Sequence, residues 1–251
     1  MAYLSRVYLN PLRPFTQRFL QSPQVAHAAI LGGLARQPVT ERVLWRLELE
    51  QEHRATVLIL TQSKPSWEHL IERGGWPSTA DGEAKIRSYD HFLERVVPGA
   101  EFVFCLRANP VQATRHPDKP SPAQVERIRN GVRTRGLRVP ERTAAHQLKW
   151  LLSRVAKWGF EIPVADTGEA AVRIVARDRI VFFRESARGV SDRVVLQTAT
   201  FVGRLRISDE VLARRSLLQG VGKARAYGCG LITLAPCASP GFGSTLMRRE
   251  L

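Results

Sequence analysis

The stretch LLQGVGKARAYGCGLITLAP, residues 217–236, sets Gly220, Gly222, Gly228 and Gly230 around Lys223, Arg225 and Tyr227, between a helical pattern and a strand pattern. Glycine-rich loops cradle phosphate when they lead from a strand into a helix N-terminus, where free N–H groups and the helix dipole meet the anion. Here the order is reversed, helix into strand. The spacing also fails: no glycine stands six after Gly220 in front of a Lys-Ser/Thr pair, and Arg225 takes the third glycine position of G-x-G-x-x-G. Two readings remain. Gly220 can be a helix C-cap followed by a packing turn, which needs one or two glycines rather than four. Alternatively, the backbone, Lys223 and Arg225 meet a polyanion at a domain face.

Proton-transfer chemistry at neutral pH calls first for histidine, whose unperturbed pKa is about 6.5. Of the six histidines, His27 lies in SPQVAHAAIL, where Ser22 and Pro23 give an N-cap and a first-turn proline. On the residues alone it shares a helical face with Ile30, Leu31 and Leu34, so a packed histidine is a more natural reading than a catalytic one. His53, His69, His91, His116 and His146 have no partner pattern and read as surface residues. Cys105, Cys229 and Cys237 are scattered without a C-x-x-C pair or a completing histidine spacing, which predicts neither a metal site nor a disulfide scaffold.

The charge points to a partner. The formal net charge is +15, from 38 basic and 23 acidic residues, and only six of the basic residues are lysine. Arginine holds its charge, fits phosphate with a planar fork and stacks on bases, so an arginine excess suggests nucleic acid. A GC-rich genome would account for the Arg:Lys ratio but not for the excess of charge. The segment 117–143 carries Lys119, Arg127, Arg129, Arg133, Arg135, Arg138 and Arg142, a self-repelling run that phosphates would order. The N-terminus has no apolar signal region, and the longest uncharged stretch, Ala226 to Met247, is broken by glycines and prolines. A soluble, cytoplasmic protein is expected, with no membrane partner.

The elements follow from periodicity. Ala2 to Asn10 alternates and stops at Pro11, predicting a strand, and a helix runs from Ser22 to about Ala35. Residues 43–50 and 55–63 read as two strands around a polar turn, Ser66 to Ile71 as a helix start, and 74–90 as a loop. A second unit opens with the strand 101–109, stopped at Pro110. It continues through the basic segment into a helix that begins near Ala144 and stops at Gly159. Strands at 170–186 and 193–208, a helix capped by Ser208 and running to Gln219, and a last strand LITLAP complete it. Both halves follow the β-α-β-β-α-β order of the ferredoxin-like fold, an α+β class. The expected units are 1–95 and 100–237, with 238–251 a tail.

The string 220–236, together with VYLNP (7–11), VLWRLE (43–48), FCLRANP (104–110) and ATFVGRLRI (199–207) in that order, resembles the CRISPR-associated repeat-RNA endoribonucleases of the CasE type over about residues 2–237. The resemblance implies two ferredoxin-like domains in tandem and metal-independent cleavage of repeat RNA at the base of its hairpin. In that reaction the ribose 2′-OH attacks the adjacent phosphate, giving a 2′,3′-cyclic phosphate and a 5′-OH; no cofactor is used. The product stays bound within a Cascade complex, so the implied partners are CRISPR RNA and the other Cascade subunits, with no direct DNA contact. By position it assigns catalysis to His27 and RNA binding to Arg154, Lys157, Arg184, Arg188, Lys223 and Arg225. The family's tyrosine and lysine around the histidine are replaced here by Gln24 and Gly32, which leaves an auxiliary group either missing or supplied elsewhere, for example by Arg18 or Arg36. A non-catalytic hairpin-binding subunit on the same fold is the alternative.

Overall fold

The computed structural model describes residues 1–79, 82–114, 125, 126, 129, 137–185 and 191–237. The chain begins with β1 (Tyr3–Leu9), α1 (Pro14–Gln21) and α2 (Pro23–Leu31), followed by the hairpin β2 (Leu44–Gln51) and β3 (Arg54–Thr61). α3 (Glu68–Gly74) and β4 (Lys85–Ser88) complete an antiparallel sheet ordered β2-β3-β1-β4. This is the ferredoxin-like order, fourth-first-third-second. Strand alternation then decides what each face does. Val7, Leu9, Trp45, Val57 and Ile59 point to one face and bury against Phe15 and Phe19 of α1, Ala26 and Ile30 of α2, and Leu70 of α3. Arg6, Tyr8, Arg46 and Glu48, on the alternate positions, line the other.

After the single turn of α4 (Asp90–Leu93) the second sheet repeats the plan. β5 (Glu101–Ala108) is its first strand, and β6 (Val111–Thr114) pairs with β7 (Leu137–Pro140) outside the sheet. α5 (Ala144–Leu152), the two-residue β8 (Phe160–Glu161), the long hairpin β9 (Val172–Glu185) and β10 (Ser191–Ile207), α6 (Glu210–Gln219) and β11 (Ile232–Pro236) follow. The order is β11-β5-β10, with β9 and the short β8 both paired to β10, so the second strand of the ferredoxin-like plan is split in two. Phe102, Phe104, Leu106, Phe201 and Leu205 face Trp150 and Leu151 of α5 and Ala213 and Leu217 of α6.

Beside the apolar packing of Leu44, Leu58 and Leu60 into the second sheet's core, one buried cation bridges the two sheets. Arg46, only 3% exposed, donates from Nε to the Glu48 carboxylate at 2.9 Å, from Nη1 to the Cys105 carbonyl at 2.9 Å and from Nη2 to Thr233 Oγ1 at 2.7 Å. Beside it the Trp45 indole N–H donates to the Ala226 carbonyl at 3.2 Å. A buried guanidinium is tolerable only when its donors are satisfied, and here its partners come from both sheets.

Several sequence expectations shift. The segment 12–22 contains α1, which Pro14 at its first position marks even though its N-cap, Arg13, makes no side-chain cap and its first turn has no acidic residue. The expected loop 74–90 ends in β4, a four-residue edge strand with mostly exposed side chains and therefore no alternation. The helix expected to reach Gly159 ends at Leu152; a separate 3-10 turn, Val155–Trp158, follows, and Gly159 at φ 84° closes that turn instead. The cap of α6 is Asp209 rather than Ser208, its carboxylate accepting the Leu212 N–H at 2.8 Å. Most of the basic segment 117–143, and the tail 238–251, lie outside the described residues.

Removing one partner from a buried ionic network leaves the others desolvated and unmatched. Arg46→Ala is expected to cost about 3 kcal/mol of stability, read as a lowered urea midpoint, and to loosen both sheets together rather than one.

Candidate functional site

α2 carries His27 and is built for a fixed orientation. Ser22 accepts the Val25 N–H at 3.4 Å, Pro23 starts the helix, and Ala26 and Ile30 anchor its inner face. Gln24, His27 and Leu31, three and four apart, then fall on one flank. His27 is half-buried, and its Nδ1 and the Gln24 Oε1 are enclosed with no hydrogen-bond partner among the described residues. Burial holds the His27 imidazole below its usual 6.5, favouring the neutral ring that can accept a proton.

The glycine-rich loop packs directly against this helix. After α6 the chain turns through a 3-10 segment, Arg225–Tyr227, that lies on α2 and β2, while β9 also reaches α2. Residues two hundred positions apart thus share one neighbourhood. The Tyr227 ring meets Phe182 of β9 edge-on at 4.8 Å. Arg184, two residues further along β9, pairs with Asp192 at 3.0 Å, and Asp192 and the Tyr227 hydroxyl together hold its charge.

The glycines of the loop serve packing more than ligand approach. Gly220, Gly228 and Gly230 are buried; a Cβ on Gly220 would lie 2.6 Å from Leu44 Cδ2, and one on Gly228, at φ 75°, 2.9 Å from the Trp45 ring. Gly220 and Gly228 thus seat the loop on β2, Gly230 closes the loop on Val221, whose N–H donates to the Gly230 carbonyl at 3.0 Å, and Gly222 borders an open groove. Arg225 likewise turns inward, its Nη1 donating to the Gln219 and Gly220 carbonyls at 2.9 and 3.1 Å, which caps the end of α6. Burial and the nearby Arg42 lower its pKa.

The other expected RNA-binding residues separate into two places. Arg154, Lys157 and Lys223 converge on a groove of about 800 Å³, which His146 and Lys149 also line. Arg154 is held there, its guanidinium 5.0 Å from the Trp150 ring centre and donating to the Trp150 carbonyl at 3.0 Å. Trp150 is fixed in turn by its N–H on the Val111 carbonyl at 3.1 Å. Arg184 lies apart, beside Tyr227; Arg188 is outside the described residues. His146 is exposed, as expected of a surface residue, and lines the groove, whereas His69 departs from the surface reading: it is half-buried with Nε2 2.8 Å from the Ala29 carbonyl. Arg18 and Arg36 are exposed.

The sequence pointed to the cleft between the two units as open to RNA without naming residues in it. A cleft of about 580 Å³ between the sheets is lined by Arg6, Arg46, Arg54, Arg95 and Arg107. Arg54 and Arg6 sit over the Tyr8 ring at 4.6 and 5.4 Å. These residues are dispersed over β1 to β5, and only strand pairing gathers them. No helix among the described residues is long and apolar enough to cross a membrane.

Two ferredoxin-like sheets, a half-buried histidine and a separate basic groove define a tandem α+β protein equipped to hold a polyanion and move a proton. The chain belongs to the family described as CRISPR associated protein, whose model matches residues 2–236. It is 28% identical over 239 residues to the CRISPR-associated endoribonuclease Cse3 of Thermus thermophilus, covering 93% of this chain and 100% of that one. It is 30% identical over 138 residues to the Cascade subunit CasE of Escherichia coli, covering 55% and 59% of the two chains. The solved structure of Cse3 bound to a 19-nucleotide RNA matches with TM-score 0.68 and 25% identity, over 94% of this chain and 99% of that one. Thermus thermophilus Cse3 bound to an RNA representing a pre-cleavage complex matches with TM-score 0.65 and 26% identity, over 94% and 99%.

Because burial opposes the charged ring, His27 is expected to titrate below 6.5 in an NMR pH titration of the free protein. Unfolding releases that opposition, so the histidine contributes a loss of stability as pH falls from 6.5 through the folded value. A midpoint above 6.5 would contradict the burial seen here.

Proposed function

We propose that the chain is a metal-independent endoribonuclease that cuts CRISPR repeat RNA at the base of its hairpin and keeps the product as a subunit of a Cascade complex. The single observation that carries the site assignment is the position of His27, a neutral, partly enclosed imidazole on a helix that meets both β9 and the glycine-rich turn. Its family setting, with relatives named as endoribonuclease and Cascade subunit, supplies the reaction class.

The chemistry needs little more than positioning. His27 removes the ribose 2′-OH proton; O2′ attacks the adjacent phosphorus and the P–O5′ bond breaks, leaving a 2′,3′-cyclic phosphate and a 5′-OH. Burial that keeps the ring neutral at pH 7 suits this role, because a protonated imidazole has no lone pair to offer. Cations beside the phosphate then stabilise the charge that gathers in the transition state. The unit 1–95 contributes the base, and 100–237 contributes the grip through Arg154, Lys157 and Lys223. The RNA is held mainly by its backbone and shape, since an A-form helix hides its base edges in a deep, narrow groove.

With the chain's own repeat RNA in EDTA, His27→Ala is expected to slow cleavage by about 10²- to 10⁴-fold while hairpin binding stays within about twofold. Undiminished cleavage would remove His27 from catalysis, and absence of cleavage by the wild-type chain would leave a hairpin-binding subunit. Replacing Arg154, Lys157 or Lys223 by Ala is expected to weaken binding about equally for all repeat sequences. Each replacement should also lower the slope of log affinity against log salt by about 1. An unchanged slope would place that side chain off the phosphates.

A further inference from the structure

The junction of α2, β9 and the glycine-rich turn holds more chemistry than one base requires. His27 comes from α2, Arg184 and Phe182 from β9, and Tyr227 from the turn that α2 and β2 support. Tyr227 is half-exposed, with its ring fixed edge-on by Phe182 at 4.8 Å. The guanidinium of Arg184 stands beside its hydroxyl and is itself steered by Asp192 at 3.0 Å. On the flank of α2 the enclosed Nδ1 of His27 and Oε1 of Gln24 have no partner among the described residues. Gln24 can accept or donate a hydrogen bond but cannot supply a titratable proton.

We propose that Tyr227 is the general acid of the cleavage reaction, giving its phenolic proton to the departing O5′ while Arg184 positions and stabilises the resulting phenolate. The proposal rests on the reading of His27 as the base. The step balances: the 2′-OH proton passes to His27 as the O2′–P bond forms, the P–O5′ bond breaks, and O5′ takes the proton of Tyr227. The proton on His27 then returns to the phenolate through solvent, restoring both groups without any other reactant. Arg184, two residues from Phe182 on β9 and paired with Asp192, supplies the positive charge that meets the developing negative charge at this junction.

A bridging 5′-thio substrate separates this role from a structural one, because a thiolate leaves without needing a proton. On ordinary repeat RNA, Tyr227→Phe is expected to slow cleavage by about 10²-fold or more, with hairpin binding unchanged. On the same RNA with sulfur in place of O5′ at the scissile bond, the variant should cleave within about fivefold of wild type. His27→Ala should stay slow on both substrates. Equal losses for Tyr227→Phe on the two substrates, or no loss on either, would overturn the assignment. Fast cleavage of both substrates by His27→Ala would instead sink the reading of His27, and the two failures are therefore distinguishable.

Discussion

The arrangement depends on a guanidinium with nowhere to go but the seam between two sheets. Arg46 projects from β2 toward β5 and β11, where the Cys105 carbonyl and the Thr233 hydroxyl accept from it, while Glu48 on its own strand balances the charge. A cation buried without partners would cost more than this fold could bear. The hydrogen bonds therefore specify one mutual placement of the sheets. Trp45, on the opposite face of the same strand, extends the constraint by taking up the Ala226 carbonyl and filling the space over Gly228. One strand thus fixes both the second sheet and the glycine-rich turn.

From this seating the separation of functions follows. The turn is pressed onto α2, so the histidine of the first sheet's helix and the tyrosine and arginine of the second sheet occupy one junction. The exposed cations of the 3-10 turn and of Lys223 are left on a different surface, around Trp150. A hairpin gripped in the groove and cut at its base can engage both. The glycines matter because side chains at positions 220 and 228 would collide with β2 and push the turn away from the helix. Their effect on chemistry is indirect, through placement.

Much of the fold was legible. Alternation read over 2–10, 43–50, 55–63 and 101–109 falls on β1, β2, β3 and β5, and the Ser22-Pro23 start bounded α2, because caps and face periodicity are local properties of the chain. α1 and β4 were not legible for the converse reason. α1 offers only Pro14 at its first position, with no side-chain cap at Arg13, and β4 is an exposed edge held in place by pairing with β1. The break at Ser153 also escaped, since Leu151 and Val155 keep helical spacing across it even though the backbone tightens into a 3-10 turn.

The sequence by itself determined the class of partner, the ferredoxin-like order and the prominence of His27, since charge, periodicity and motif order are written along the chain. It could not show that the turn carrying Tyr227 packs on the helix of that histidine, that Arg225 is committed to helix carbonyls, or that Arg6, Arg46, Arg54 and Arg107 from four strands and Arg95 from the turn after α4 line one cleft. Those are long-range juxtapositions. They come from strand pairing and the packing of β2 against the glycine-rich turn, and no spacing within the chain encodes which distant side chains such packing brings together.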